Sequence, residues 1–186
     1  MILENDDKLI SKVTVRLKRT DNNTVIGTGI LYYQDSLKDK IYIFTTAHSL
    51  FNDSDEFKEK LDSIDIDVFN DNSNRYETIT VNNIDERLIS KDKDSDFAII
   101  IIEKELIENL VGEIPKIKVA KERLDFSKFV CKGFPMATMG KELDVIYPIW
   151  KQRMTEVDKF QLELTETYTE FNMKGFSRWW NFYGCK

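Results

Sequence analysis

Short stretches of alternating apolar and polar residues, separated by polar turns, fill the first 111 residues of the chain. Alternation with a period of two is typical of strands that are buried on one face. Segments 20–23 and 71–74 are rich in Asp and Asn, which favour turns between such strands. Residues 50–62 and 82–95 are predicted to be polar surface connections. Six strands are predicted: residues 11–17, 24–33, 40–46, 63–70, 76–81 and 96–102. This order of short strands and turns indicates a small antiparallel barrel or sandwich.

The second half of the chain repeats this pattern less regularly. A short helix is predicted at residues 104–111, and Gly112 and Pro115 follow it as signals of a boundary. Further strands are predicted at residues 116–120, 128–132, 144–149 and 160–167. We therefore expect an all-β protein with two domains, residues 1–111 and residues 112–186.

The composition disfavours several classes of function. The chain is 41% hydrophobic and carries a formal net charge of −6, which is dispersed and does not favour nucleic-acid binding. No apolar run reaches the roughly 18 residues of a membrane-spanning helix. The acidic start of the chain lacks the basic and apolar regions of a signal peptide. Cys131 and Cys185 do not make the cysteine framework of a secreted protein. We therefore expect a cytoplasmic protein that binds neither nucleic acid nor a membrane.

The candidate chemistry centres on His48, the only histidine in the chain, which follows the predicted strand 40–46. A serine hydroxyl is a weak nucleophile until a neighbouring base takes its proton, and histidine suits that task near neutral pH. A carboxylate on the other ring nitrogen fixes the tautomer and stabilises the charged imidazole. Asp96, at the start of a strand, and Ser177, two residues after Gly175, are the candidates for these roles. Each residue alone has a plainer explanation as a packing, capping or loop residue, so the hypothesis rests on their combination.

Four motifs resemble those of the chymotrypsin/trypsin-like serine peptidases, especially bacterial members similar to the V8 and HtrA types. They are Gly27-Thr28-Gly29, Thr45-Thr46-Ala47-His48, Asp96-Phe97-Ala98-Ile99 and Gly133-Phe134-Pro135. The resemblance covers residues 13–177. It implies two six-stranded antiparallel β-barrels of the trypsin-like type, with the triad in the cleft between them. The second barrel is expected to be incomplete, because only nine residues follow Ser177.

The same resemblance implies a reaction. A trypsin-like serine endopeptidase hydrolyses peptide bonds through an acyl-enzyme, here with Ser177 as nucleophile, His48 as base and then acid, and Asp96 as the orienting group. The N–H groups of Gly175 and Ser177 would form the oxyanion hole, and Phe171 matches the position at the base of the substrate pocket. The expected partners are a protein or peptide substrate and an activating protein that gates the enzyme. No cofactor is expected.

Two rival hypotheses stay open from the sequence. Arg178 stands where the family has a glycine, and the tail 178–186 is rich in aromatic residues and lacks the pattern of the family's closing strands. These features favour a catalytically impaired or truncated protease-like domain that acts as a protein-binding module. The other rival is a small all-β binding protein in which the order of His, Asp and Ser is coincidental.

Metal binding is disfavoured by the residue pattern. Asp53, Asp55 and Glu56 cluster near His48, but the glycine and the spacing of an EF-hand calcium loop are missing. One histidine and two distant cysteines do not make a zinc site. We therefore expect no metal site.

Overall fold

The computed structural model describes the chain at residues 4–52, 57–92, 96–117, 131–134, 140–146, 149–154 and 159–163. The described α-helices are α1 (Glu4–Val13), α2 (Ile84–Arg87) and α3 (Lys104–Val111), and two short 3₁₀ turns lie at Asp35–Leu37 and Ala47–Leu50. The strands before α3 are β1 (Thr14–Arg19), β2 (Val25–Tyr32), β3 (Lys40–Thr45), β4 (Ser63–Asn70), β5 (Arg75–Asn82), β6 (Leu88–Asp92) and β7 (Phe97–Glu103). The strands after it are β8 (Cys131–Gly133), β9 (Asp144–Ile146), β10 (Ile149–Met154) and β11 (Lys159–Glu163). Of these described helices, none has the length and apolar character needed to cross a membrane.

The first seven strands form one antiparallel sheet with the order β5-β4-β1-β2-β3-β7-β6. β1, β2 and β3 pair successively, while β4 pairs with β5 and β6 pairs with β7. The register of β3 with β7 runs from Lys40 opposite Glu103 to Thr45 opposite Ala98. This pairing places the end of β3 beside the start of β7.

The sheet must curl strongly, because a short connection joins its two outer strands. β5 and β6 stand at opposite ends of the strand order, and only residues 83–87 connect them. In a flat sheet of seven strands spaced by about 4.8 Å, the outer strands would lie roughly 29 Å apart. Five residues between them reach at most about 22 Å when fully extended. The first half is therefore a curled antiparallel sheet, in agreement with the expected all-β class.

One face of this sheet carries the hydrophobic core. β7 buries Ala98, Ile100 and Ile102 and leaves the residues between them partly exposed. Burying one isoleucine side chain typically contributes about 1.5–3 kcal/mol to stability. Val13 from α1 and Ile107 from α3 join the same core. The packed face holds β3 and β7 in place, so the loops at their ends are positioned by the core.

Five of the six strands predicted in the first half lie at their predicted positions, and α3 lies at the predicted helix 104–111. The prediction for residues 11–17 is wrong at its start, because α1 continues to Val13 and β1 begins at Thr14. Ile10 and Val13 are both buried and stand three residues apart, so this short run fits a helical period as well. At the junction, the hydroxyl of Thr14 donates to the carbonyl of Ile10 at 2.7 Å.

The two segments predicted as polar surface connections contain packed structure. Residues 82–95 include α2 and β6, and Ile84 is fully buried. Within residues 50–62, Phe51 and Leu61 are buried as well. In both segments a few apolar residues anchor a chain that is charged on average, so the average polarity does not reveal the packing.

The described part of the second half contains two antiparallel pairs, β8 with β9 and β10 with β11. β8, β9 and β11 overlap the predicted strands 128–132, 144–149 and 160–167. β10 was not predicted, since residues 151–153 are three consecutive polar residues. The strand predicted at residues 116–120 lies mostly outside the described residues. The mostly-β architecture is confirmed. The first sheet has seven strands and not the six that were expected, and the division into two barrels stays a prediction.

Candidate active site

His48 lies in a single 3₁₀ turn, Ala47–Leu50, which Thr46 joins to the end of β3. Ala47 and Leu50 are completely buried and anchor both ends of the turn in the core. The N–H of Phe51 donates to the carbonyl of His48 at 3.3 Å and closes the turn. The side chain of His48 is 43% exposed. The backbone of His48 is thus held while its imidazole stays accessible to solvent.

Asp96 stands immediately before β7 in the left-handed region, with φ at +51°. Aspartate tolerates this conformation better than most side chains do. Its carbonyl accepts the N–H of Ala47 at 3.1 Å, which ties the start of β7 to the turn of His48. The β3–β7 register, in which Thr45 faces Ala98, brings these two ends together. His48 and Asp96 therefore meet although they are 48 positions apart in the chain.

The carboxylate of Asp96 contacts His48 at two points. Its Oδ2 lies 2.7 Å from Nδ1 of the imidazole, and its Oδ1 accepts the backbone N–H of His48 at 2.9 Å. Because an ionised carboxylate only accepts hydrogen bonds, Nδ1 carries the proton when the imidazole is neutral. Nε2 then presents a lone pair, which is the form that takes a proton from a hydroxyl group. The contact has the geometry of a base held by an orienting carboxylate.

The other predicted site residues, Phe171, Gly175 and Ser177, lie outside the described residues, and so do the weak calcium candidates at positions 53–56. Of the predicted site residues, the described part of the chain brings together His48 and Asp96. In that part, no group of three or more His, Cys, Asp or Glu side chains is arranged to hold a metal ion.

Two solved bacterial structures are similar to this chain. The serine endoprotease of Yersinia pestis has a TM-score of 0.54 and 17% sequence identity, and the match covers 84% of this chain and 46% of that chain. The MamO protease domain of Magnetospirillum magneticum has a TM-score of 0.50 and 12% sequence identity, and the match covers 78% of this chain and 63% of that chain. The fold of this chain is therefore similar to that of bacterial trypsin-like serine proteases. The chain spans about half of the first structure and less than two thirds of the second. No protein-family model and no curated protein matches the sequence.

In this protease-like fold, Thr28 connects the first sheet to the second half of the chain. Thr28 is 1% exposed and lies at the centre of the Gly-Thr-Gly motif in β2. Its carbonyl accepts the hydroxyl of Thr45 at 3.0 Å, and its own hydroxyl oxygen accepts the N–H of Phe134 at 3.1 Å. Phe134 follows β8 and is fully buried. Two motifs singled out in the sequence are therefore in contact, next to the strand that leads into His48.

Gly27 has no room for a side chain, because Ser49 packs against it. A Cβ on Gly27 would lie 3.2 Å from the Cβ of Ser49 and closer still to its hydroxyl oxygen. We predict that Gly27→Ala lowers the free energy of unfolding by about 1–3 kcal/mol, as overpacking typically does. Chemical denaturation measures the loss, and a variant that unfolds with the wild type would contradict the prediction. Gly112→Ala is the comparison, because a Cβ there meets nothing within 4 Å and only the positive φ of 80° is strained.

A buried charge cluster surrounds Asp67 on the face of β4 that points away from the core. Asp67 is 1% exposed and accepts hydrogen bonds from Arg16 Nε at 2.7 Å and from the hydroxyl of Thr78 at 2.6 Å. Nζ of Lys18 lies 2.9 Å from Oδ1 of Asp67, the same oxygen that accepts the hydroxyl of Thr78. Burial by itself raises the pKa of Asp67, but the hydrogen bonds from Thr78, Lys18 and Arg16 and the charge of Arg16 outweigh it, so the pKa lies below its ordinary value. No sequence motif indicated this cluster.

Arg16 extends the cluster to the second half of the chain. Its Nη1 donates to the carbonyls of Gly140 at 2.8 Å and Lys141 at 2.9 Å. Its guanidinium carbon lies 5.5 Å from the ring centroid of Tyr76 and 5.3 Å from that of Phe134, within the range of cation–π contacts. Burial raises the pKa of Tyr76 to about 12, so this phenol stays neutral beside the cluster. One arginine thus joins β1 to two separate segments of the second half.

Proposed function

We propose that this protein is a serine endopeptidase that hydrolyses peptide bonds through an acyl-enzyme. The observation that carries the proposal is the double contact of Asp96 with His48, at Nδ1 and at the backbone N–H. It supports His48 as the general base, because Nε2 is left free of a proton, and Asp96 as the group that stabilises the charged imidazole. The similarity of the fold to serine proteases supports the same assignment.

Ser177 is the proposed nucleophile. Its Oγ attacks the carbonyl carbon of the scissile peptide while His48 takes the hydroxyl proton, and the C–N bond breaks as that proton passes to the leaving amine. Water then adds to the acyl-enzyme by the same route, which releases the carboxylic acid and regenerates the serine. The N–H groups of Gly175 and Ser177 are proposed to hold the oxyanion, and one such donor typically contributes about 100- to 1000-fold to the rate. These steps need no cofactor.

The proposed substrate is a protein or peptide bound between two domains, residues 1–111 and residues 112–186. Phe171 is proposed to form the base of the substrate pocket. The contacts from Thr28 to Phe134 and from Arg16 to the carbonyl of Gly140 support close packing of the two halves. We further propose that an activating protein gates the enzyme, since an ungated peptidase would cleave the proteins around it.

Labelling with a fluorophosphonate, which phosphonylates an activated serine, tests the proposal. We expect the folded wild type to label at a basal rate without the activating protein, and the Ser177→Ala and His48→Ala variants not to label. Ser63→Ala is the matched control, because it removes a serine whose hydroxyl contacts Thr20 at an exposed site on the sheet. Labelling that persists in Ser177→Ala would show that the nucleophile is wrongly assigned.

The protein-binding module is the second candidate, and Arg178 favours it. This arginine follows Ser177 where the serine peptidases have a glycine. A folded wild type that does not label would favour the module, and labelling gained by Arg178→Gly would identify the arginine as the obstacle. If neither protein labels, the peptidase proposal fails and the module is the better description.

A further inference from the structure

Two buried hydroxyl groups flank His48, and no step of the proposed reaction uses them. Thr46 is 4% exposed and Ser49 is 2% exposed. Their Oγ atoms lie 2.6 Å apart, and Oγ of Ser49 lies 2.9 Å from the carbonyl oxygen of Ile26. A carbonyl only accepts, so Ser49 donates to Ile26 and Thr46 donates to Ser49. The two hydroxyls therefore form a directed hydrogen-bonded chain from the turn of His48 to β2.

This hydroxyl chain ends at an irregularity in β2. The β1–β2 register passes from Leu17 opposite Gly27 to Lys18 opposite Val25, so Ile26 has no facing residue in β1. β3 pairs with β2 only further along the strand. Such a bulge disrupts the backbone ladder and leaves the extra residue without its regular partner. At this point the hydroxyl of Ser49 donates a hydrogen bond to the carbonyl of Ile26. Glycine at position 27 leaves room for the Ser49 side chain.

The turn of His48 is consequently tied to both strands that flank β3. The strand order β2-β3-β7 puts β2 on one side and β7 on the other. On the β7 side, Asp96 accepts the N–H groups of Ala47 and His48. On the β2 side, Ser49 donates to Ile26. A single 3₁₀ turn has few hydrogen bonds of its own, so the hydrogen bonds to Asp96 and Ile26 determine its position.

We propose that Ser49 is a positioning residue for His48. It holds the turn against β2 so that Nδ1 of His48 stays 2.7 Å from Oδ2 of Asp96. The assignment rests on the proposed function, because it makes Ser49 responsible for keeping the base in its working tautomer and place. Ser49 contacts neither the substrate nor the reacting atoms, so its effect acts entirely through His48.

Proton NMR tests this proposal on one unambiguous signal, because His48 is the only histidine in the chain. The Nδ1–H proton is protected from solvent exchange only while it contacts Asp96. Ser49→Ala leaves the carbonyl of Ile26 and the hydroxyl of Thr46 without their buried partner. We expect exchange of the Nδ1 proton to become about tenfold faster or more, and fluorophosphonate labelling to slow by a similar factor.

Thr14→Val is the matched control, because Thr14 is also fully buried and also donates to a backbone carbonyl, that of Ile10. It is expected to lower the thermal midpoint as Ser49→Ala does, yet to leave the exchange of the His48 proton unchanged. Equal acceleration in Thr14→Val would overturn the proposal, because Ser49 would then act through general stability alone. An unchanged exchange rate in Ser49→Ala would overturn it as well.

Thr46→Val provides a second route should Ser49→Ala not fold. It removes the hydroxyl that orients Ser49 and so weakens the bond from Ser49 to Ile26 without deleting it. A smaller acceleration is therefore expected, and no acceleration would count against the proposal. The exchange rate does not depend on Ser177. If neither the wild type nor Arg178→Gly labels while Ser49→Ala still speeds exchange, the positioning role stands and the peptidase proposal fails.

Discussion

Replacing Asp96 with asparagine is expected to slow fluorophosphonate labelling about 10⁴-fold at neutral pH while the protein stays folded. The amide oxygen keeps accepting the backbone N–H of His48, and this contact turns the amide NH₂ towards Nδ1. Nδ1 must then accept, so the ring proton moves to Nε2 and His48 can no longer take a proton from a hydroxyl. Asparagine tolerates the positive φ of this position, so backbone strain does not account for the loss.

The ring nitrogens of the single histidine report this change without any enzymatic assay. Nitrogen-15 NMR is expected to show the proton on Nδ1 in the wild type and on Nε2 in D96N. Asp35→Asn is the control, because it removes a carboxylate that pairs with Lys116 at an exposed site, and it should label as the wild type does. A D96N protein whose tautomer has moved but whose labelling rate has not would refute His48 as the base.

Alternation was sufficient to predict β4 but could not predict β6. In β4, Ile64, Ile66 and Val68 face one core, so the apolar positions repeat with a period of two. In β6, the register with β7 shifts just after Leu88, and Ile89 is 52% exposed. A bulge breaks the period of two, so the sequence pattern of a bulged strand does not differ from that of a polar loop. The curvature of the sheet depends on which strands meet, and that information is not local in the chain.

The contact between His48 and Asp96 could be predicted because His48 follows one apolar strand, Asp96 precedes another, and both lie in motifs that resemble those of a known family. The roles of Ser49 and Asp67 could not be predicted, because each depends on the register between strands. Asp67 faces Arg16 only in the observed pairing of β1 with β4, and Ser49 is useful only beside the irregularity in β2. Until the register is known, a polar residue in such a place is indistinguishable from a solvated one.

Replacing Asp67 with asparagine is expected to lower the free energy of unfolding by about 3–5 kcal/mol. Arg16 and Lys18 would lose their counter-charge while their side chains stay only 16% and 14% exposed, so water cannot replace it. Domains are typically stable by about 5–15 kcal/mol, so urea should unfold the variant at a much lower concentration. Asp65→Asn is the matched control, because Asp65 lies on the same strand and accepts the hydroxyl of Thr80 at an exposed site. Equal midpoints for the two variants would contradict the prediction.

The destabilisation caused by Asp67→Asn is expected to shrink as the pH falls. The folded-state pKa of Asp67 lies below its unfolded value near 4, so the ionised carboxylate stabilises the protein fully above that value. This contribution is lost as the pH falls through the lowered pKa, and the variant never has it. The pKa of Glu103 is lowered to about 2, chiefly by its hydrogen bond with Arg87, but both proteins retain Glu103 and its effect cancels in the difference. Urea unfolding at pH 7 and near pH 3 measures the difference in the free energy of unfolding between the wild type and Asp67→Asn. If this difference stays constant or widens in acid, the folded protein does not stabilise Asp67 as a carboxylate.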